Sequence, residues 1–275
     1  ITASLICLLH SLYKYKTITY HNEFSILLHP SYFAMYLTFG IIAAYHLYKK
    51  QIFSLTLFTI IVIFFSIIVF ITSAKAGFIS LFYTYVFLSV DMLKQIKIKK
   101  YIIPVITLIV IISFLAVNYN SRLSNGIKGL RQIITNDKFD NKDIQYNSTL
   151  QRYFIWKSSV AVIKENPVIG VGCGDIKDIL INKYNSINAY FLAQQKYNCH
   201  NQFLETAIGQ GLIGLLCLLL LLVYPFFLKN NYLQRQFIIL ITINLLFESM
   251  FNTQAGTVFI SFFYSLLSLN NQPNS

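Results

Sequence analysis

Residues Ile52–Ala74 read IFSLTLFTIIVIFFSIIVFITSA and carry no charged side chain. About 20 predominantly apolar residues in an α-helix span the hydrocarbon core of a bilayer, and this run exceeds that length. We read it as a transmembrane helix. Residues 31–48, 76–93, 101–117 and 212–228 are similar runs close to the lower length limit. Residues 237–269 are too long for one span. The polar residues Glu248, Asn252, Thr253 and Gln254 divide them into two. Residues 1–13 look like the end of a further helix. The composition agrees, with 56% hydrophobic and 12% charged residues in a chain of 275. A soluble domain carries about 25% charged residues. The expected fold is therefore all-α and polytopic, with about 7–8 transmembrane helices by span length. Residues 1–117 form an N-terminal membrane region, 118–208 one long loop with short helices, and 209–275 a C-terminal membrane region. The chain starts at Ile1, and we expect sequence upstream of it. The apolar start lacks the basic leader and cleavage site of a signal peptide.

Charge sets the expected orientation, because short loops rich in Lys and Arg stay in the cytoplasm. Lys49-Lys50, the group Lys94, Lys97, Lys99 and Lys100, and the pair Lys229 and Arg235 fall on alternate connections. The region of Lys75, the long loop and the turn at Gln254 then lie outside, as do Lys14 and Lys16, against the rule. The net charge of +12 is thus partly topology and gives no reason to expect a nucleic-acid partner. The long loop holds eleven Lys/Arg against seven Asp/Glu. Such a surface just outside a membrane suits an anionic lipid head group. An ordinary solvated loop has the same composition.

Within that loop, residues 118–147 are rich in Asn, Lys and Asp and are expected to be irregular or partly mobile. Residues 149–165 read as an amphipathic helix, with Tyr153, Trp156, Val160 and Ile163 at helical spacing. Ser148 or Thr149 is the expected cap, and Asn166-Pro167 the stop. Arg152 and Trp156, four apart, share a face. Trp156 also suits an interfacial anchor or plain packing. A second short helix follows Asp175. Between the two lies Gly170-Val171-Gly172-Cys173-Gly174-Asp175. Alternating glycines permit a tight turn or a close backbone approach, and such a turn can present N–H groups to a phosphate. The spacing is neither a dinucleotide fingerprint nor a P-loop. A plain turn between helices is the competing reading.

His200-Asn201-Gln202-Phe203-Leu204-Glu205 leads from the loop into the 212–228 run. His200 stands at the expected start of a helix, where the dipole and free N–H groups favour an anion. Neutral imidazole is a competent general base near pH 7. A lone interfacial polar residue is the alternative. The five histidines, at 10, 21, 29, 46 and 200, show no metal-pair spacing and there is no Cys-x-x-Cys, so no metal and no cofactor are expected. Glu248 is ionisable within an apolar stretch, which raises the expectation of a function or of a charged partner. Arg152 is one candidate partner. Cys173 and Cys199 both lie in the outer loop, where an oxidising compartment would permit a Cys173–Cys199 disulfide. Two free thiols are the reading we favour.

The order Arg152…Trp156…Asn166-Pro167-Val168-Ile169-Gly170-Val171-Gly172, then His200-Asn201…Leu204-Glu205…Gly211-Leu212-Ile213-Gly214, resembles the O-antigen ligase/polymerase family of bacterial membrane proteins. Thr72-Ser73-Ala74-Lys75-Ala76-Gly77 is similar to a further basic turn of that family, with Lys75 where arginine is usual. Lys lacks the planar fork of Arg, and Lys75 also reads as a helix-end residue reaching the interface. The resemblance implies a metal-independent membrane glycosyltransferase of the bacterial inner membrane, with its site on the periplasmic side. The implied donor is an undecaprenyl-diphosphate-linked glycan. The implied acceptor is a hydroxyl of lipid A–core for a ligase, or of another glycan for a polymerase. Membrane lipids are the remaining partners. By the same resemblance, His200 would activate the acceptor hydroxyl while Arg152 and Lys75 hold the diphosphate. Trp156, Gly170, Gly172, Asn201, Glu205 and Glu248 are the other candidates for substrate binding. A transporter of lipid-linked glycans is the rival from another class.

Overall fold

The structure is a computed structural model that describes residues 1–20, 23–93, 121–135, 140–228 and 232–269. Among the described residues there are twelve α-helices, one 3-10 turn and no strand. Two of the described helices are long and apolar enough to cross a bilayer, Leu55–Thr72 and Gln202–Phe227, and Gln254–Leu269 is apolar but shorter. Ile60, Ile63 and Ile67 are each more than half exposed on the Leu55–Thr72 helix. Such an outward apolar face suits lipid rather than water. The expected run at 101–117 lies outside the described residues.

Contacts divide the chain into two compact units. The first comprises Ile1–Ile106, Tyr224–Asn244 and Met250–Ser275, and the second Thr107–Val223 and Leu245–Ser249. The expected boundary at 208/209 falls inside one helix, Gln202–Phe227.

In the first unit, helix Pro30–Lys49 is the buried centre, with Phe33, Met35, Ile41, Ile42 and Tyr45 all closed off. Pro30 opens it, where a missing N–H costs nothing. Leu55–Thr72 and Lys75–Leu93 pack against it. The hairpin between those two is tight because Ser73 takes a left-handed backbone at φ 50°. An added Cβ on Gly77 would sit 2.6 Å from the Ala34 Cβ, so the glycine sets how closely two helices approach. Phe39 lies edge-on to Phe237 and Phe263, each at 4.8 Å, and joins the C-terminal helices to this bundle.

The second unit is built on helix Ser148–Glu165. Its cap is Asn147, one residue before the expected position, and the Asn147 side chain accepts from the Thr149 N–H at 2.9 Å. Asn166 ends the helix as expected. Ile155, Val162, Leu180, Tyr184, Leu192 and Ile208 form the core with helices Ile176–Ser186 and Tyr190–Gln195. The described parts of 118–147 depart from the expectation of irregular chain: Ser121–Thr135 and Asn141–Tyr146 are helical. Gly126 and Gly129 lower local helix propensity and hid the 3–4 spacing of Ile127, Leu130 and Ile134.

The glycine segment is spliced into a helix. Gly211, at φ 65° and ψ −162°, interrupts Gln202–Phe227. A continuous helix would direct the Leu212 and Ile213 N–H groups to the carbonyls of Ile208 and Gly209. Here Leu212 donates to the Pro167 carbonyl (2.8 Å) and Ile213 to that of Val168 (3.5 Å). The freed carbonyls of Ile208 and Gly209 accept from Val171 (2.8 Å) and Gly172 (2.9 Å). Both redirected N–H groups and both freed carbonyls are thus paired. The approach leaves no room for a side chain: a Cβ on Gly170 would lie 2.4 Å from the Ile208 oxygen, and one on Gly211 2.1 Å from the Val168 oxygen.

Gly211→Ala and Gly170→Ala should therefore both lose folded protein, because clash adds to a left-handed φ that alone costs about 1–3 kcal/mol. Gly174→Ala should be neutral, since nothing lies within 4 Å of its Cβ position. Monodisperse yield and melting temperature in detergent distinguish the three.

Candidate functional site

The site begins with the way the chain holds residues 199–201. Asn201 caps helix Gln202–Phe227, its side-chain oxygen accepting from Phe203 (2.9 Å) and Leu204 (3.1 Å). Its amide nitrogen donates to the Leu246 carbonyl at 3.1 Å. Glu205 is buried and turns back to accept from the Cys199 N–H (3.0 Å) and the Ser249 hydroxyl (3.1 Å). The indole N–H of Trp156 donates to the Cys199 carbonyl at 3.1 Å. Helices Ser148–Glu165 and Gln202–Phe227 and the segment Leu245–Ser249 thus all grip one short stretch of backbone.

That grip holds His200 in a left-handed conformation, φ 44°. Such a backbone in a non-glycine residue persists only where surrounding bonds over-determine it. The His200 N–H donates to the Asn198 side chain at 3.0 Å, and the imidazole lies 5.4 Å from the Tyr197 ring, centroid to centroid. Its Nδ1 is 3.2 Å from Oε2 of Glu248. The other carboxylate oxygen, Oε1, is 3.4 Å from Nη2 of Arg152. The guanidinium also lies 5.6 Å from the centre of the Phe247 ring. Glu248 has 9% of its side chain exposed, against 26% for His200 and 24% for Arg152. The carboxylate is therefore the hidden member, and the two groups it binds reach the solvent.

Burial lowers the Arg152 pKa, and the Glu248 carboxylate opposes that shift. The guanidinium stays cationic throughout the physiological range. A carboxylate at Nδ1 selects the imidazole tautomer with its proton there, leaving Nε2 as the free base. Such a pair can take a proton from a bound hydroxyl while an adjacent cation balances negative charge.

Arg152, Trp156, Asn201, Glu205 and Glu248 come together around His200, and Arg152, one candidate from the sequence, is a partner of Glu248. Three of them turn inward. Asn201, Glu205 and the Trp156 indole N–H bind protein backbone, so their observed work is positioning. Asn201 fills the helix start that sequence offered to an anion. Gly170 and Gly172 form the splice, and the Gly172 N–H that a phosphate would need is bonded to Gly209. Lys75 opens helix Lys75–Leu93 in the first unit and is half-buried. Cys173 and Cys199 are separate thiols rather than the disulfide that their placement in one loop would permit. Cys199 is fully buried beside Ser159, and burial, with Glu205 nearby, pushes its pKa up and keeps it protonated and inert. Sequence reading missed Tyr197, Phe247 and Ser249, aromatic and hydroxyl side chains with no spacing signal.

The family model described as O-antigen ligase matches residues 59–219. The chain belongs to the O-antigen ligase family. The match takes in Lys75, Arg152, the glycine splice and His200, and stops short of Glu248. A protein of Haemophilus influenzae described as uncharacterized is 26% identical over 215 residues, covering 70% of this chain and 49% of the relative. This O-antigen ligase family chain thus spans about half the length of the curated relative it matches. No solved structure matches.

The two bonds of Asn201 are separable. Asn201→Ala should cost about 1 kcal/mol for the lost cap. Asn201→Ser should keep a capping oxygen and lose only the Leu246 tie, so its melting temperature should lie between those of Asn201→Ala and the parent chain.

Proposed function

We propose that this chain transfers a glycan from a lipid-linked diphosphate donor to an acceptor hydroxyl, as a glycosyltransferase of the inner membrane with its site on the periplasmic side. The observation that carries the reading is the Glu248 carboxylate shared between His200 and Arg152. Family membership adds lipid-linked glycans as the substrate class. The apolar helices suit a substrate with a lipid tail.

In the proposed reaction the acceptor hydroxyl gives its proton to Nε2 of His200 as its oxygen attacks the anomeric carbon. The bond from that carbon to the phosphate oxygen breaks, and the lipid diphosphate leaves with the bonding electrons. Glu248 stabilises the imidazolium that forms at Nδ1. The Arg152 guanidinium, in a side chain 24% exposed, neutralises the departing diphosphate. Stabilising charge where it develops, as this arrangement does, commonly lowers the barrier to group transfer more than any other single effect. The acceptor is a lipid A–core hydroxyl for ligation. A glycan hydroxyl, giving polymerisation, is the variant of the same chemistry. A transporter has less support, because the sequence shows no internal repeat of the kind that transporters often carry.

In cells that make a surface polysaccharide, His200→Ala should lower transfer by about 10²–10⁴-fold, the usual worth of a positioned base. Arg152→Ala should also lose transfer. Glu248→Gln should lose about tenfold or more, since a hydrogen bond to a charged group is worth ~1.5 kcal/mol or more. Accumulation of polymer on the carrier identifies a ligase, and single repeats on the acceptor identify a polymerase. Normal glycan in well-expressed His200→Ala and Arg152→Ala cells contradicts the assignment.

A further inference from the structure

Helix Ser121–Thr135 is oriented inside out. Gly126 and Gly129 are buried, whereas Ile127, Leu130 and Ile134 are 58%, 52% and 79% exposed. A helix on a soluble surface does the reverse. The buried side is fixed by specific contact. The Asn147 amide donates to the Asn125 carbonyl at 2.8 Å, and a Cβ on Gly129 would meet that amide at 2.5 Å. The outward stripe is flanked by the exposed cations Lys128 and Arg131, and the sequence of the helix holds no acidic residue. In sequence the helix follows the apolar run 101–117 after three residues.

We propose that Ser121–Thr135 lies in the plane of the lipid interface, with Ile127, Leu130 and Ile134 in the acyl region and Lys128 and Arg131 at the phosphates. An apolar stripe bordered by cations is the signature of an interfacial helix. Its position also carries to the candidate site. Asn147 both holds this helix and caps Ser148–Glu165, and five helical residues at ~1.5 Å each put Arg152 about 7.5 Å along from that cap. The interfacial helix thereby sets the depth of Arg152 relative to the phosphates of the bilayer. The inference is independent of which glycan is transferred.

The test uses the full chain with Cys173→Ser and Cys217→Ser, bearing one bimane label at Ile127→Cys, Ile134→Cys or Gln132→Cys. The protein is placed in nanodiscs of phosphatidylethanolamine and phosphatidylglycerol, with or without brominated acyl chains. Bromine should quench the labels at 127 and 134 about twofold or more beyond that at 132, which lies on another face of the helix. Equal quenching at all three, or none at 127 and 134, overturns the proposal. Cross-linking of Ile134→Cys between two copies, without bromine quenching, assigns the stripe to a second copy and overturns it as well. Should a label at 127 or 134 prevent folding, protection of the Ile127–Ile134 backbone amides from hydrogen exchange on transfer from detergent to nanodiscs decides. Protection supports the lipid seat, and unchanged exchange overturns it.

Discussion

A buried carboxylate needs partners, and in this chain Glu248 finds them in two segments far apart in sequence. Taking an ionised carboxylate out of water costs several kcal/mol unless charge and hydrogen bonds compensate. Arg152 and His200 supply that compensation, one oxygen each. The demand runs both ways. Glu248 must leave regular helix to reach them, and Tyr232–Leu245 ends just before it. The break at 246–253 is therefore more than a turn between two apolar helices. It delivers an acid, and the next residue, Ser249, closes on Glu205.

The rest of the second unit holds this pairing in register. Three side chains fix the backbone on either side of His200, so the left-handed φ is sustained from outside the residue. Farther along the same helix, the glycine splice locks Pro167–Gly172 to the kink at Gly211. Helix Ser148–Glu165, which bears Arg152, ends immediately before that segment. The arginine and the histidine are thus joined twice, once through Glu248 and once through backbone bonds at the splice. Geometry held by backbone hydrogen bonds and glycine contacts is stiff, which suits a site that must place a base and a cation for one transfer step.

Much of this was legible in the residues. Apolar runs announced the helices, because burial in lipid demands length and an absence of charge. Glu248 was conspicuous as an acid in such a run. Its partner could be suspected but not chosen, since pairing across 96 positions leaves no local trace. The glycines were visible as a turn, but their use was hidden: a splice into a helix spends N–H groups on carbonyls, and only the acceptor side, Ile208 and Gly209, reveals it. Asn201 and Glu205 were candidates for substrate binding only through the family resemblance. Their bonds in the fold hold the backbone around the histidine, a role that no spacing in the sequence announces. The Ser121–Thr135 helix was obscured by its own glycines, which weaken propensity while allowing the packing that the fold requires.

The division of labour between base and cation is the claim on which the account rests. Donor affinity and transfer rate, measured separately on purified protein with an undecaprenyl-diphosphate-linked glycan, test it most directly. His200→Ala should bind donor as the parent chain does and fail to transfer it, whereas Arg152→Ala should bind donor more weakly. Equal loss of donor binding in both variants, or undiminished transfer by His200→Ala, would contradict the account.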